Sequence, residues 1–384
     1  MREPAIFEGA TRSPRLGQTP KVWLLMGHRA GDNSQVQALG EALGWPFEIK
    51  RFVYQPWEQL VNLPFVSSLI GVVKERSTRL TPPWPDLVLS AGRRNEPIAR
   101  WIRRQAGGHV RLVHVGRPWA ALERWDLVVT TRQYRLPALP NVLHNETPLH
   151  RVTTERLAEA GAVWQPRLAH LPRPWIAVLA GGPSGPYPFD ARSGTRLARD
   201  ASALASRLGG SLLITTSART PAPAVEALRR DVSVPAFVYD WRPGDPENPY
   251  FAFLSLAEQL IVTGDSVSMM TEACSTGKPV FLFDTGEGRF AMREHEGTGP
   301  PWWQCLDRAH LRAVIYRIGM LYGPTRWTRD IRLVQKLLVD SGRAAWLGDG
   351  APVASPPPLR DVERAAARVR ALFEPVVLPP PPAS

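Results

Sequence analysis

Short, continuous apolar runs closed by glycine or polar turns, with helix-period stretches between them, recur from residue 21 to residue 284. The first series is "KVWLLMG" (21–27), "PFEIKRFVY" (46–54), "PDLVLSAG" (85–92), "VRLVHVG" (110–116), "WDLVVTT" (125–131) and "NVLHN" (141–145). Helical "DNSQVQALGEALG" (32–44) and "EPIARWIRRQAG" (96–107) separate members of it. Runs that are apolar throughout, not alternating, belong to strands covered on both faces, which means parallel sheet flanked by helices. A second series follows the proline-studded "QPRLAHLPRP" (165–174): strands at 175–182, 211–217, 235–241, 259–264 and 279–284, with helices at 191–209, 221–232, 250–258 and 266–277. Helical periodicity returns at 306–345 and 360–374, and one of these helices is expected to pack back across the domains. The expected fold is therefore α/β, with two doubly wound domains facing a central cleft. Its divisions are an irregular lead-in (1–19), an N-terminal domain (20–164), a linker (165–174), a C-terminal domain (175–345), and a terminal helix with a Pro-rich tail (346–384).

Composition narrows the class. A chain of 384 residues with 44% hydrophobic and 21% charged residues is long and apolar enough for two cores. Its formal charge is +12, and nearly all 47 basic residues are arginines, a side chain suited to forked contacts with phosphate or carboxylate. Charge alone permits nucleic-acid binding, but no basic recognition helix or aromatic stacking motif accompanies it, so nucleic acid is not an expected partner. Cys274 and Cys305 offer neither a disulfide framework nor a zinc spacing. With no apolar leader after Met1 and no run near the roughly 20 residues of a membrane span, a cytoplasmic location is expected. The run "LPFVSSLIGVVKERSTR" (63–79) reads as a core helix with a basic end or as a peripheral inner-membrane contact.

In open parallel sheets, ligands bind beyond the carboxyl ends of the strands, so the loops after the strands carry the functional reading. After the first strand of the second series, "AGGPSG" places Gly181, Gly182, Ser184 and Gly185 where backbone amides can approach a phosphate, or where a surface turn needs freedom. Thr216, Ser217 and Arg219 follow the next strand. In "TGDSVSMMTEACSTGKPV", Asp265 or Ser266 is the expected cap of a short helix whose buried stripe is Val267, Met270 and Cys274. Ser268 and Glu272 share another face. There Glu272 is either a solvated helix residue or an acceptor for the two hydroxyls of a ribose. In the first series, Arg29, Arg93, Arg94, Arg117 and Arg132 stand after four strands and would line a wall for an anionic acceptor. His28 and Asp32 in "GHRAGDNSQ" are the candidate general bases, with Asp32 also a natural helix cap; His144 and Asn145 are weaker candidates. No D-x-D pair or His/Asp cluster has metal-ligand spacing, so no metal is expected.

"TGDSVSMMTEACSTGKPV" and the preceding glycine loop resemble GT-B glycosyltransferases, the peptidoglycan N-acetylglucosaminyltransferase above all. With "GHRAGDNSQ", "PDLVLSAGRR", "HVGRP" and "LHNETPLHRV", the chain more specifically resembles the mitochondrial-fission "elongated mitochondria" family over roughly residues 21–284. The resemblance implies a GT-B-like pair of Rossmann-like domains and a nucleotide-sugar donor in the second, with Glu272 on the ribose. Residues 181–185 and 265–268 would then contact phosphates or sugar. The donor is a substrate, so no cofactor is implied. The reaction expected is metal-independent transfer of the sugar to an anionic glycan or lipid of the cell envelope. A nucleotide-sugar 2-epimerase shares the architecture, and the plant members, known for organelle morphology, imply an adaptor with a vestigial sugar site.

Overall fold

The computed structural model describes residues 19–56, 67–287, 290–293, 308–324, 328–353 and 357–374. In it the continuous apolar runs become interior strands. Every residue of β1 (Val22–Met26), β3 (Leu87–Ala91) and β5 (Leu127–Thr131) is buried, as is all but the first of β4 (Arg111–Val115). The more mixed β2 (Phe47–Arg51) and β6 (Val142–Asn145) take the edges of a sheet ordered β2-β1-β3-β4-β5-β6. The pairs β1–β2, β1–β3, β3–β4 and β4–β5 are parallel, so the carboxyl ends of these five strands lie along one side. Helix α1 (Ala30–Leu43) follows β1 and α2 (Glu96–Gln105) follows β3. The winding leaves β1 in one direction for β2 and in the other for β3, and reverses between β1 and β3.

Helix α3 (Thr154–Leu168) precedes the second sheet, whose strands are β7 (Trp175–Leu179), β8 (Ser211–Thr215), β9 (Ala236–Tyr239), β10 (Gln259–Thr263), β11 (Val280–Phe283) and β12 (Ala345–Trp346). Their order is β12-β11-β10-β7-β8-β9, and all five neighbouring pairs are parallel. The winding reverses between β7 and β10. Helices α4 (Ala191–Leu208), α5 (Ala222–Asp231), α6 (Tyr250–Leu256), α7 (Val267–Cys274), α8 (Arg308–Tyr322) and α9 (Arg332–Asp340) complete the layers. Period-two alternation divides the core: Trp175, Ala177 and Leu179 of β7 face a cluster with Phe253 and Met270, while Ile176 and Val178 face Leu197, Ala201 and Leu228. The doubly wound α/β reading of both halves is thus correct.

Chain division is less simple than composition suggests. One compact unit runs to Thr130 and adds Leu136–Asn145 and the chain from Arg360 on; the other takes Thr131–Arg135 and Glu146–Leu359. The boundary falls near residue 145, ahead of the proline-studded 165–174 segment. Helix α3 runs into that segment, carrying Pro166 in its last turn, because Trp164 and Leu168 are buried in the second core beside Phe253. The last helix, α10 (Asp361–Arg370), counts with the first unit, where it packs on α1. The described part of the 63–79 run, residues 67–79, is not a core helix. Residues 63–66 lie outside the described residues, and the remainder holds only a 3-10 turn at Lys74–Arg76, with Val72 bridged to Tyr54. The lead-in up to residue 18, the Pro-rich end from 375, and Cys305 also lie outside them. Cys274 is a buried free thiol. Among the described residues, no helix is long and apolar enough to cross a membrane.

Candidate functional site

Reversal between β7 and β10 opens the carboxyl end of the second sheet at one point, the usual place for a ligand in such sheets. Asp265, immediately beyond β10, is buried there. Its Oδ2 accepts the Gly182 N–H at 2.9 Å and an Arg219 Nη2–H at 2.9 Å, while its Oδ1 is buried with no hydrogen-bond partner. Gly181 donates its N–H to Thr263 Oγ1 at 2.8 Å. Both glycines are required by proximity: a Cβ on Gly181 would stand 2.5 Å from Asp265 Oδ2, and one on Gly182 would stand 2.2 Å from the Arg219 carbonyl oxygen. Arg219 also donates through Nη1 to the Gly182 and Pro183 carbonyls at 3.1 and 3.2 Å. Ser217 Oγ holds the Gly181 carbonyl at 2.9 Å. The loops after β7, β8 and β10 therefore form one hydrogen-bonded cluster.

Other candidates lie apart from this cluster. Thr216 turns toward β9, its hydroxyl accepting the Trp241 N–H at 2.9 Å. Ser184 pairs its backbone with Tyr187 and accepts from Arg329 Nη2 at 2.8 Å. Gly185, at φ +57°, has Tyr316 of α8 directly over it, 3.0 Å from where a Cβ would be. The left-handed backbone and the lack of room both demand glycine at that position.

Neither expected residue caps α7. Ser266 occupies the cap position without a side-chain hydrogen bond, and Asp265 is drawn instead to Gly182 and Arg219. The first-turn N–H groups of α7 are left without a side-chain cap, and such a helix end favours anions. Val267, Met270 and Cys274 are buried as expected, Ala273 is buried with them, and Ser268 is half-buried. Glu272 is only 8% exposed, so it is not a solvated helix residue. It accepts a hydrogen bond from Tyr250 Oη at the start of α6. Burial pushes the Glu272 carboxyl up to about 7, against the Tyr250 bond and the Arg151 charge, which pull it down. Beside it, His150 Nε2 lies 2.9 Å from Ser275 Oγ.

In the first unit the corresponding reversal lies between β1 and β3. Asn33 clasps the turn after β1, accepting the Gly27 N–H at 2.8 Å and donating to its carbonyl at 3.0 Å. Buried Asn95 ties the two strands by donating to Leu25 and Ala91 carbonyls at 3.1 and 3.0 Å, and Tyr54 Oη donates to its Oδ1. Helix α1 begins at Ala30 with Arg29 in the cap position, so Asp32 lies inside the first turn and is not the cap. Its carboxylate abuts Gly92, where a Cβ would be 2.7 Å away. His28 keeps solvent contact yet is crowded by neighbouring atoms. That crowding, then the Arg94 and Arg29 charges, lower its pKa to about 4, so the imidazole is neutral near pH 7.

The arginine-bearing strands β1, β3, β4 and β5 are consecutive neighbours with parallel direction, so Arg29, Arg93, Arg94 and Arg117 stand along one edge. Arg93 stacks on Trp119 at 4.2 Å and Arg94 on Tyr54 at 5.4 Å. Buried Glu96 accepts the Trp119 and Ala120 N–H groups at 2.8 and 2.9 Å and so holds the loop that carries Arg117. Arg132 follows β5 directly. Its segment counts with the second unit, because Gln133 O accepts the Asp330 N–H at 3.0 Å and Arg135 pairs with Asp330 at 2.7 Å. His144 and Asn145 serve α10: Arg364 Nη2 donates to the His144 carbonyl at 2.8 Å and to Asn145 Oδ1 at 3.0 Å. Among the described residues, no group of three or more His, Cys, Asp or Glu is placed to hold a metal ion. Tyr250, Thr263, Asn95 and Trp119 escaped the sequence reading because each acts through a partner distant in sequence.

Comparison with known proteins places the chain. The model of a family described as mitochondrial fission ELM1 matches residues 30–296. The mitochondrial fission protein ELM1 of Arabidopsis thaliana is 30% identical over 251 residues, which are 59% of this chain and 58% of that protein's length. An uncharacterized protein of Rickettsia prowazekii (strain Madrid E) is 21% identical over 295 residues, covering 68% of this chain and 82% of that one. Among solved structures, MurG of Acinetobacter baumannii aligns over 92% of this chain and 99% of its own, at TM-score 0.38 and 12% identity. The S. aureus MnaA–UDP structure aligns over 94% and 98%, at TM-score 0.44 and 11% identity. With the family model matching most of its length, the chain belongs to the mitochondrial fission ELM1 family.

Proposed function

We propose that the chain is a glycosyltransferase that takes a sugar from a nucleotide-diphosphate donor and passes it to an anionic glycan or lipid of the cell envelope. The carrying observation is the cluster of Gly181, Gly182, Arg219 and Asp265 at the β7–β10 reversal, beside the uncapped start of α7. In this reading the α7 terminus and Arg219 stabilise the charge that develops on the leaving diphosphate, without a metal. Glu272 receives the ribose hydroxyls. The acceptor hydroxyl attacks the anomeric carbon and surrenders its proton to His28, whose depressed pKa keeps it free to take one, or to Asp32. Arg29, Arg93, Arg94 and Arg117 hold the acceptor's negative charge. In the structure Tyr250 engages Glu272 and Asp265 engages Arg219. These internal bonds favour, as the second reading, an adaptor whose nucleotide-sugar site is vestigial and no longer takes up the nucleotide.

Calorimetric titration of UDP, GDP, ADP, dTDP and CMP into the wild type and Glu272→Gln tests the choice. Glutamine keeps a partner for Tyr250, so the variant isolates the carboxylate charge. One nucleotide is expected to bind at micromolar concentration, and the variant to lose about 1–3 kcal/mol, the usual size of a charge-assisted hydrogen-bond contribution. No binding by any of the five would remove the enzyme reading and leave the adaptor.

A further inference from the structure

Arg219 lies beside the glycine loop, yet its charge is already met. Its Nη2 is bonded to the buried Asp265 carboxylate, and its Nη1 to the Gly182 and Pro183 carbonyls. A second arginine reaches the same loop from much later in the chain. Arg329 Nη2 donates to Ser184 Oγ at 2.8 Å. Its backbone is fixed by Tyr316, whose hydroxyl accepts the Arg329 N–H at 2.8 Å and whose ring stands over Gly185. Farther along the same stretch, Gln335 Nε2 donates to the Gly264 carbonyl at 2.7 Å, one residue beyond β10. The stretch from Arg329 to Gln335 therefore touches the loops after β7 and β10, the two strands between which the winding reverses.

Arg329 is more than a brace for that loop. It is half-buried and has no ion pair among the described residues. The neighbouring carboxylate, Asp330, is bonded to Arg135 and Arg332 instead. A guanidinium drawn partly out of water with only a hydroxyl to meet it is unfavourable, and an anion relieves that. Ser184 is 7% exposed. Its hydroxyl accepts from Arg329, while its own proton meets no acceptor among the described residues. A buried O–H donor left open beside an uncompensated guanidinium matches one kind of ligand, an anionic oxygen. The start of α7 alone offers only about half an elementary charge, less than a diphosphate needs.

We propose that Arg329 and Ser184 form a second phosphate-binding position, so that the site takes a diphosphate in preference to a single phosphate. For a nucleotide, this position rests on the donor reading given above. In it Arg219 and the α7 terminus stay with one phosphate, and Arg329 brings the charge that the other requires.

The test is calorimetric titration of the full chain, at fixed ionic strength, with UDP, GDP and ADP against UMP, GMP and AMP, and with inorganic pyrophosphate against orthophosphate. Wild type is expected to bind one diphosphate about tenfold or more tighter than its monophosphate. In Arg329→Gln that preference should fall about tenfold, the size of one charge-assisted contact, while the monophosphate keeps its wild-type affinity. Arg329→Lys retains the charge without the fork and should stand between the two. An arginine that merely braces the loop would weaken both nucleotides together, and Ser184→Ala would reproduce the whole effect; that pattern overturns the proposal. Circular dichroism confirms that each variant is folded, and Arg329→Lys carries the test if the glutamine variant is not. A diphosphate that binds with its preference untouched in the Arg329 variants removes the second position and leaves the donor reading standing. Pyrophosphate bound through Arg329 with no nucleotide bound keeps the position and removes the donor reading. Binding of none of these probes removes both.

Discussion

Glu272 is the residue whose position in sequence says least about its surroundings. Helical spacing puts it on a face with Ser268, but its hydrogen-bond partner, Tyr250, is on another helix. Burial raises its pKa to about 7, above the ordinary 4.5 that it regains on unfolding. The native state therefore binds the proton more tightly than the unfolded one. This contribution to stability is complete below about pH 4.5 and is lost as pH climbs through 7, a change of roughly 2–3 kcal/mol between pH 5 and 8. Glu272→Gln cannot titrate. Urea unfolding at pH 5 and pH 8 should show the variant gaining on the wild type by about that amount at the higher pH. Glu96, also buried and raised to about 7, moves both proteins alike and cancels in the difference. An unchanged difference would mean that the Glu272 carboxylate stays ionised across the range.

Local periodicity predicted the body of α7 and the position of its start correctly, but not the absence of a side-chain cap there. Val267, Met270 and Cys274 obey a rule internal to the helix. The cap does not: the Asp265 carboxylate had the α7 N–H groups within a few residues, yet it meets the Gly182 N–H and Arg219 across the sheet. A charge-assisted bond to arginine together with a buried backbone amide outweighs a cap worth about 1 kcal/mol. The same kind of competition explains α3, where Pro166 reads as a breaker but Trp164 and Leu168 have a core to enter. It also explains the 67–79 stretch, where Val72 bridges to Tyr54. Glycines after β7 were legible as a close approach, though not what they approach. Gly182→Ala should cost roughly 1–3 kcal/mol, because the added Cβ meets the backbone of Arg219 and no side chain can swing away. Hydrogen exchange should show the loss of protection at 217–220 and at 265–266, with β8 itself unchanged. Full protection there would mean that the Arg219 loop yields without breaking its bonds to Asp265.

At the scale of the whole molecule, the two parallel sheets were readable because each interior strand announces itself as an unbroken apolar run. Which unit claims the last helix was not, since the amphipathic face of α10 has no address written in its own period. The address lies in long-range polar contacts. Arg370 Nη2 donates to the Ala42 and Leu43 carbonyls at 2.6 and 3.1 Å, supplying at the end of α1 the donors that helix carbonyls lack. Arg368 holds the Pro140 carbonyl at 2.8 Å, and the Phe373 ring meets Trp45 edge-on at 5.3 Å. Residues near both ends of the sequence thus complete one unit. A chain ending at residue 359 should keep the second sheet intact while its first unit loses protection from hydrogen exchange in α1 and β6. Restoring α10 as a separate peptide cannot fully rescue it, because an isolated helix of ten residues is mostly unfolded in water and must be ordered on binding. Uniform loss of protection over both units would show that they unfold together, and the terminal helix would then stabilise the molecule as a whole.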